Sequence, residues 1–179
     1  MRIIGGEHGG RKIHPPSKMP YTRPTTDIAK EGLFNMLQHL IDLEGKTTLD
    51  LFGGTGAITY ELCSRGVAQA IVVEKDPQMH AFIKKHVEQL HLPATVLRSD
   101  VFRYLETCNQ QFDFIFAGPP YALTSIDDLP LIIMQKKLLK HDGWFVLEHT
   151  PRNNYEEFDG FVKQRKYGTN IFSFFSNPR

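Results

Sequence analysis

Between residues 47 and 149 short apolar runs alternate with amphipathic stretches, and this alternation leaves few folds open. Runs of strand length separated by helical patterns make βαβ units, whose strands pair in parallel and need helices to cover them. Strands are read at 47–52, 70–74, 94–100, 112–117 and 143–149. A helix at about 57–65 ends on Gly66, where a C-cap belongs. Asp76-Pro77 supplies the N-cap and first-turn proline of a second helix with Phe82, Ile83, Val87 and Leu90 on one face. A third helix is read at about 127–139, and two last strands at 161–167 and 170–175. The expected fold is α/β with a mostly parallel sheet.

The first 45 residues break that rhythm. Arg2-Ile3-Ile4 and Arg11-Lys12-Ile13 flank a Gly-rich stretch, which predicts a β-hairpin with a flexible tip. Pro15, Pro16 and Pro20 make an extended connector, and a helix starts near Asp27 with Ile28, Leu33, Met36, Leu37, Leu40 and Ile41 as its apolar stripe. A chain of 179 residues suits one domain. The division expected within it is an appendage, 1–45, on an α/β core, 46–179.

Composition narrows the class. The most apolar stretch, 112–117, contains Asp113 and is far shorter than the ~18 residues of a membrane span. The opening Met1-Arg2-Ile3-Ile4-Gly5-Gly6 lacks the apolar segment of a secretory signal. Two cysteines, Cys63 and Cys108, with no Cys-x-x-Cys pattern and scattered histidines, point to a reducing cytoplasm and to no metal. Net charge is only +1, yet residues 1–30 and 163–179 each carry +4 against −7 for the middle. Basic ends around an acidic middle suit a polyanionic partner beside a different kind of pocket, or simply two solvated ends.

The strongest local signal is Leu49-Asp50-Leu51-Phe52-Gly53-Gly54-Thr55-Gly56-Ala57, a strand, a glycine turn and a helix. Gly54 and Gly56 let a ligand approach the backbone, and the turn offers free N–H groups. Glu74 ends the next strand, 24 residues after Asp50, where a ribose diol is held in doubly wound sheets. The third glycine of a dinucleotide fingerprint is replaced by Thr59, and the Asp50 carboxylate would repel a pyrophosphate. S-adenosylmethionine (SAM), a cationic sulfonium with an amino group, fits better. Phe52, Gly53, Thr55 and Lys75 border the same site. Asp100, with Val101 and Phe102, stands where an adenine amine would be met; a lone acid after a strand is more often a helix N-cap, so this reading carries weight only beside Glu74. The fourth strand runs into Gly118-Pro119-Pro120-Tyr121, a loop rigid at the sheet's ligand edge, with Tyr121 offering a face to a flipped-out base.

The Asp50–Gly56 turn, the Pro119-Pro120-Tyr121 loop and the opening Met1–Gly6 belong together with Arg23-Pro24-Thr25-Thr26-Asp27, Leu33-Phe34-Asn35-Met36-Leu37 and the closing Tyr167-Gly168-Thr169. Over nearly the whole chain they resemble the bacterial 16S rRNA guanine-N2 methyltransferases of the RsmD type. The resemblance implies a seven-stranded Rossmann-like SAM-dependent methyltransferase sheet and methyl transfer to one guanine of 16S rRNA, in a 30S subunit or assembly intermediate. It adds Thr25 as a residue closing the SAM pocket. It also supports Arg2, Arg11, Lys12 and Arg23 as RNA contacts, with the hairpin acting as an RNA grip rather than a packing element. A monomer without membrane or metal partners is expected.

One departure falls at the reaction centre. The family pattern places Asp or Asn before Pro-Pro-Tyr, where its side-chain oxygen accepts from the target amine; here that residue is Gly118. Asp113 is five residues back along a strand rising ~3.3 Å per residue and is too far to substitute. Loss of such an acceptor costs about two to three decades of rate. Gly118→Asp is therefore expected to raise kcat, unless another group has taken over. The other readings are a DNA adenine-N6 methyltransferase, sharing the Pro-Pro-Tyr loop but lacking a target-recognition domain, and a catalytically silent SAM- and RNA-binding protein. A nicotinamide dehydrogenase fits least.

Overall fold

In a computed structural model, which describes residues 1–18 and 25–178, seven strands form one sheet in the order β3-β2-β1-β4-β5-β7-β6. They are β1 (Thr47–Leu51), β2 (Gln69–Glu74), β3 (Ala94–Arg98), β4 (Phe112–Ala117), β5 (Leu139–His149), β6 (Phe161–Tyr167) and β7 (Asn170–Ser176). The first five are parallel, and β7 lies antiparallel between β5 and β6. The helices are α1 (Asp27–Leu37), α2 (Ala57–Ser64), α3 (Pro77–Gln89), α4 (Val101–Thr107) and α5 (Asp128–Gln135). None of these is long and apolar enough to cross a membrane.

The central strands are buried on both faces, as parallel strands between helix layers must be. One apolar cluster joins α1, α2 and α3 to the sheet through Leu33, Tyr60, Ile83, Val72 and Phe114. The other packs Leu105 of α4 and Leu129 and Ile133 of α5 on Leu49, Ile115 and Phe145. Strand order reverses at β1, with β2 on one side and β4 on the other. The C-terminal ends of these three strands therefore open a crevice of the kind that holds ligands in open α/β sheets.

Several boundaries differ from the sequence expectations for local reasons. β1 stops at Leu51 because Phe52 turns the chain with φ +63°. β3 stops at Arg98, and Asp100 caps α4 by accepting from the Arg103 N–H at 3.1 Å; this helix has no counterpart among the expected elements. α5 ends at Gln135 rather than near 139, and Lys137 beyond it takes φ +54°. β5 begins four residues before Gly143, and its register on β4 jumps between the Phe112 and Phe114 pairs.

The hairpin is a packing element, which corrects the expectation of a grip separate from the core. Arg2 bridges Lys12, and Ile3 and Ile13 are buried in the cluster of α1 and α2. Glu61 of α2 accepts from the backbone N–H groups of Ile4 and Gly5, each at 2.9 Å. The same carboxylate pairs with Lys30 of α1 at 3.4 Å and Arg65 at 2.9 Å, and Lys30 donates to the Arg2 carbonyl at 2.7 Å. Hairpin, α1 and α2 are thus tied at one buried carboxylate.

Candidate functional site

The crevice is a cavity of about 580 Å³. Thr25, Asp50, Phe52, Gly53, Gly54, Thr55, Glu74, Lys75, Asp100, Val101 and Phe102 line it, with Gly118 and Pro120 from the loop after β4. Of the expected site residues, Gly56, Pro119 and Tyr121 do not line it. Gly56 instead starts α2 at φ +86°, and a Cβ there would lie 2.5 Å from the ring of Tyr60, so only glycine fits. Tyr121 is 49% exposed and donates its hydroxyl to Asn170 Oδ1 at 3.0 Å. Arg2, Arg11 and Lys12 are exposed on the hairpin, and Arg23 lies outside the described residues.

Two carboxylates stand at the ends of neighbouring strands, where β1 and β2 pair through Leu51 and Val73. Asp50 is only 2% exposed, and its Oδ2 accepts from Thr59 at 2.7 Å. Burial pushes this carboxyl up to about 7, the Thr59 bond pulls it down, and the nearby Glu74 charge raises it again. Glu74 accepts from the Gly54 N–H and the Asp76 N–H, both at 2.8 Å, which fixes its carboxylate against the glycine turn. Each Glu74 oxygen keeps acceptor capacity for one more donor, as a vicinal diol would require. A buried acid poised near neutrality fits a cationic ligand, because such a ligand restores the charge that burial penalises. The residues present therefore fit SAM.

Sequence reasoning missed Glu148. It sits near the C-terminal end of β5, 1% exposed, behind the cavity wall formed by Thr25 and Gly118. Its Oε1 accepts from the Thr25 hydroxyl at 2.7 Å and its Oε2 from Asn170 Nδ2 at 2.9 Å. A Cβ on Gly118 would lie 3.3 Å from Glu148 Oε1 and 3.0 Å from the Phe116 ring. The signal is present in the sequence: an acid inside the apolar run 144–149, at the ligand end of a strand. Asp113, by contrast, accepts from the Thr47 N–H at the opposite end of the sheet.

The family model for Conserved hypothetical protein 95 matches residues 1–176. Ribosomal RNA small subunit methyltransferase D of Escherichia coli is 32% identical over 149 residues, covering 83% of this chain and 71% of that protein. The chain belongs to the RsmD-type methyltransferase family. Beyond these matches, the structure of a hypothetical protein of Thermus thermophilus superposes with a TM-score of 0.84 at 28% identity, covering 98% of each chain. The T. thermophilus 16S rRNA N2 G1207 methyltransferase RsmC, solved with AdoMet and guanosine, gives a TM-score of 0.68 at 27% identity. That match covers 86% of this chain and 44% of the other. The RsmD-type sheet is the Rossmann-like one of SAM-dependent methyltransferases.

Proposed function

We propose that this chain transfers a methyl group from SAM to the exocyclic N2 amine of a guanine in 16S rRNA, acting as a monomer on a 30S subunit or assembly intermediate. One observation supports this most directly: the acids at the ends of β1 and β2 share a single cavity with the Gly118-Pro119-Pro120 turn. Asp50 faces the cationic methionine part, Glu74 the ribose and Asp100 the adenine, with Thr25 closing the wall. When bound, SAM supplies a methyl on a sulfonium, which becomes a neutral thioether as the nitrogen–carbon bond forms and the nitrogen sheds a proton to solvent. The protein's own part is positioning and exclusion of water. Phe52, Val101, Phe102 and Leu123 give the cavity apolar walls, and the proline pair fixes the loop that presents the target base. Hairpin residues Arg2, Arg11 and Lys12 contact phosphates.

Labelled SAM and 30S particles lacking the modification test this reading. Methyl label in a 16S guanine is the expected result. Label only in DNA adenine, or SAM binding without transfer to any nucleic acid, would refute it.

A further inference from the structure

Tyr121 ends the Pro-Pro-Tyr loop, yet it stands outside the cavity that the loop helps to form. It is 49% exposed, and its hydroxyl donates to Asn170 Oδ1 at 3.0 Å. Asn170 opens β7 and pairs there with Tyr167, the last residue of β6. Tyr121 is thereby tied to the β6–β7 turn, at the mouth of the crevice. β6 is the edge of the sheet and pairs only with β7. It runs antiparallel to β7, which is itself antiparallel to β5, so β6 ends at the same pole as the crevice. Towards that end Arg165 and Lys166 are exposed. Arg165 pairs with Phe172 and Lys166 with Ile171, so the two side chains leave the strand on opposite faces and straddle its free edge. Neither belongs to an ion pair among the described residues, and residues 163–179 hold four cations and no acid. Cations that only keep other strands off an edge need no aromatic ring beside them. Cations next to an exposed ring suit single-stranded nucleic acid, with phosphates on the cations and a base on the ring.

We propose that the rRNA strand leaving the crevice runs over Tyr121 and along the end of β6. Tyr121 stacks on a nucleotide beside the target guanine, and Arg165 and Lys166 hold phosphates further along the same strand. This rests on the rRNA reading above and adds a second contact to that of the hairpin. It replaces the expectation that Tyr121 faces the flipped-out base itself. A base drawn into a pocket leaves its neighbours without their stacking partner. A ring fixed just outside that pocket covers one of them, and the bond to Asn170 has already ordered it, so little conformational freedom is lost on binding.

The test measures binding of the full chain to 30S particles lacking the modification, over a range of salt concentrations. Tyr121→Leu keeps an apolar side chain without a ring and should weaken binding about tenfold, as loss of one base–aromatic stack does. Tyr121→Phe keeps the ring and loses only the bond to Asn170, so most of the affinity should return. Arg165→Ala combined with Lys166→Ala should weaken binding and flatten its salt dependence by ~0.7 units per lost single-strand contact. SAM affinity by calorimetry should hold in that double variant, since neither cation lines the cavity. Ultraviolet crosslinking should join Tyr121 to a nucleotide beside the guanine that takes the methyl. Three results overturn the proposal: a crosslink from Tyr121 to that guanine itself, unchanged 30S affinity in Tyr121→Leu, or weaker binding of the double variant with an unaltered salt slope. The last would mark a protein partner on β6 instead of RNA. In all three the wild type still methylates a 16S guanine. Failure of the rRNA reading shows differently, as wild-type protein that neither binds 30S particles nor labels their RNA, and that result removes both.

Discussion

Asp50 is the residue whose chemistry can be titrated most directly. Its carboxyl is raised to about 7 by burial, well above the ~3.9 of an unfolded aspartate. A raised folded value means the folded state holds the proton longer. Stability from this group is therefore fully present below pH ~4 and is lost as pH rises through 7. Asp50→Asn should stabilise the ligand-free protein by a few kcal/mol at pH 8 and change little at pH 4, as urea melts at the two pH values would show. Ligand binding runs the other way. A cation beside Asp50 favours the ionised form, so SAM affinity should tighten about tenfold per pH unit up to 7 and then level off. A flat calorimetric profile between pH 5 and 8 would remove Asp50 from the cation's surroundings. Glu74→Ala should weaken SAM binding by about 10–100-fold through the lost diol contact. Unchanged affinity would strike out the ribose assignment.

At the scale of elements, the Glu61 knot decides whether the N-terminal hairpin stays docked. It joins two backbone N–H groups of the hairpin, Lys30 of α1 and Arg65 just past the end of α2. Glu61→Ala would leave Lys30, 1% exposed, buried without its counter-charge, a loss of about 3–5 kcal/mol. A fall in Tm of roughly 10 °C is expected for a chain of this size, and a drop of only a degree or two would show the knot to be ornamental. The element patterns were mostly legible because parallel strands in this chain are short apolar runs between well-marked punctuation. β4 and β6 fall on the expected bounds, and Asp76-Pro77 does start α3. What stayed illegible depends on the third dimension. After Leu139, residues 140–142 of β5 are polar and fall where the register on β4 shifts, so they carry no strand pattern. α4 is only seven residues long; its capping Asp100 is readable as an N-cap, but too few residues follow to mark a helix by periodicity. The site was legible where one turn builds it, from Asp50 to Gly56, and opaque at Glu148, whose neighbours Thr25, Gly118 and Asn170 come from three remote segments.

For the molecule as a whole, charge divides the surface from the crevice. The exposed cations of the hairpin, Arg2, Arg11 and Lys12, and those of the edge strand β6, Arg165 and Lys166, carry the basic excess read from the sequence, while the crevice holds acids. Replacing Arg2, Arg11 and Lys12 together with alanine should weaken 30S binding and flatten its salt dependence by about one unit per lost phosphate contact. SAM affinity should be unaffected, since none of the three lines the cavity. Normal 30S binding by that variant would move the RNA contact elsewhere. The sheet's order carries a consequence for synthesis. β7 follows β6 in the chain but lies between it and β5, so β6 leaves the ribosome before the strand it must pair with exists. Until β7 inserts, β5 and β6 both present open edges, the state in which non-local sheets are slow to fold and prone to wrong pairing. Asn170, which orients the Glu148 carboxylate, is the first residue of that late strand. The Glu148 carboxylate behind the crevice wall therefore gains its Asn170 partner only once β7 has paired with β5.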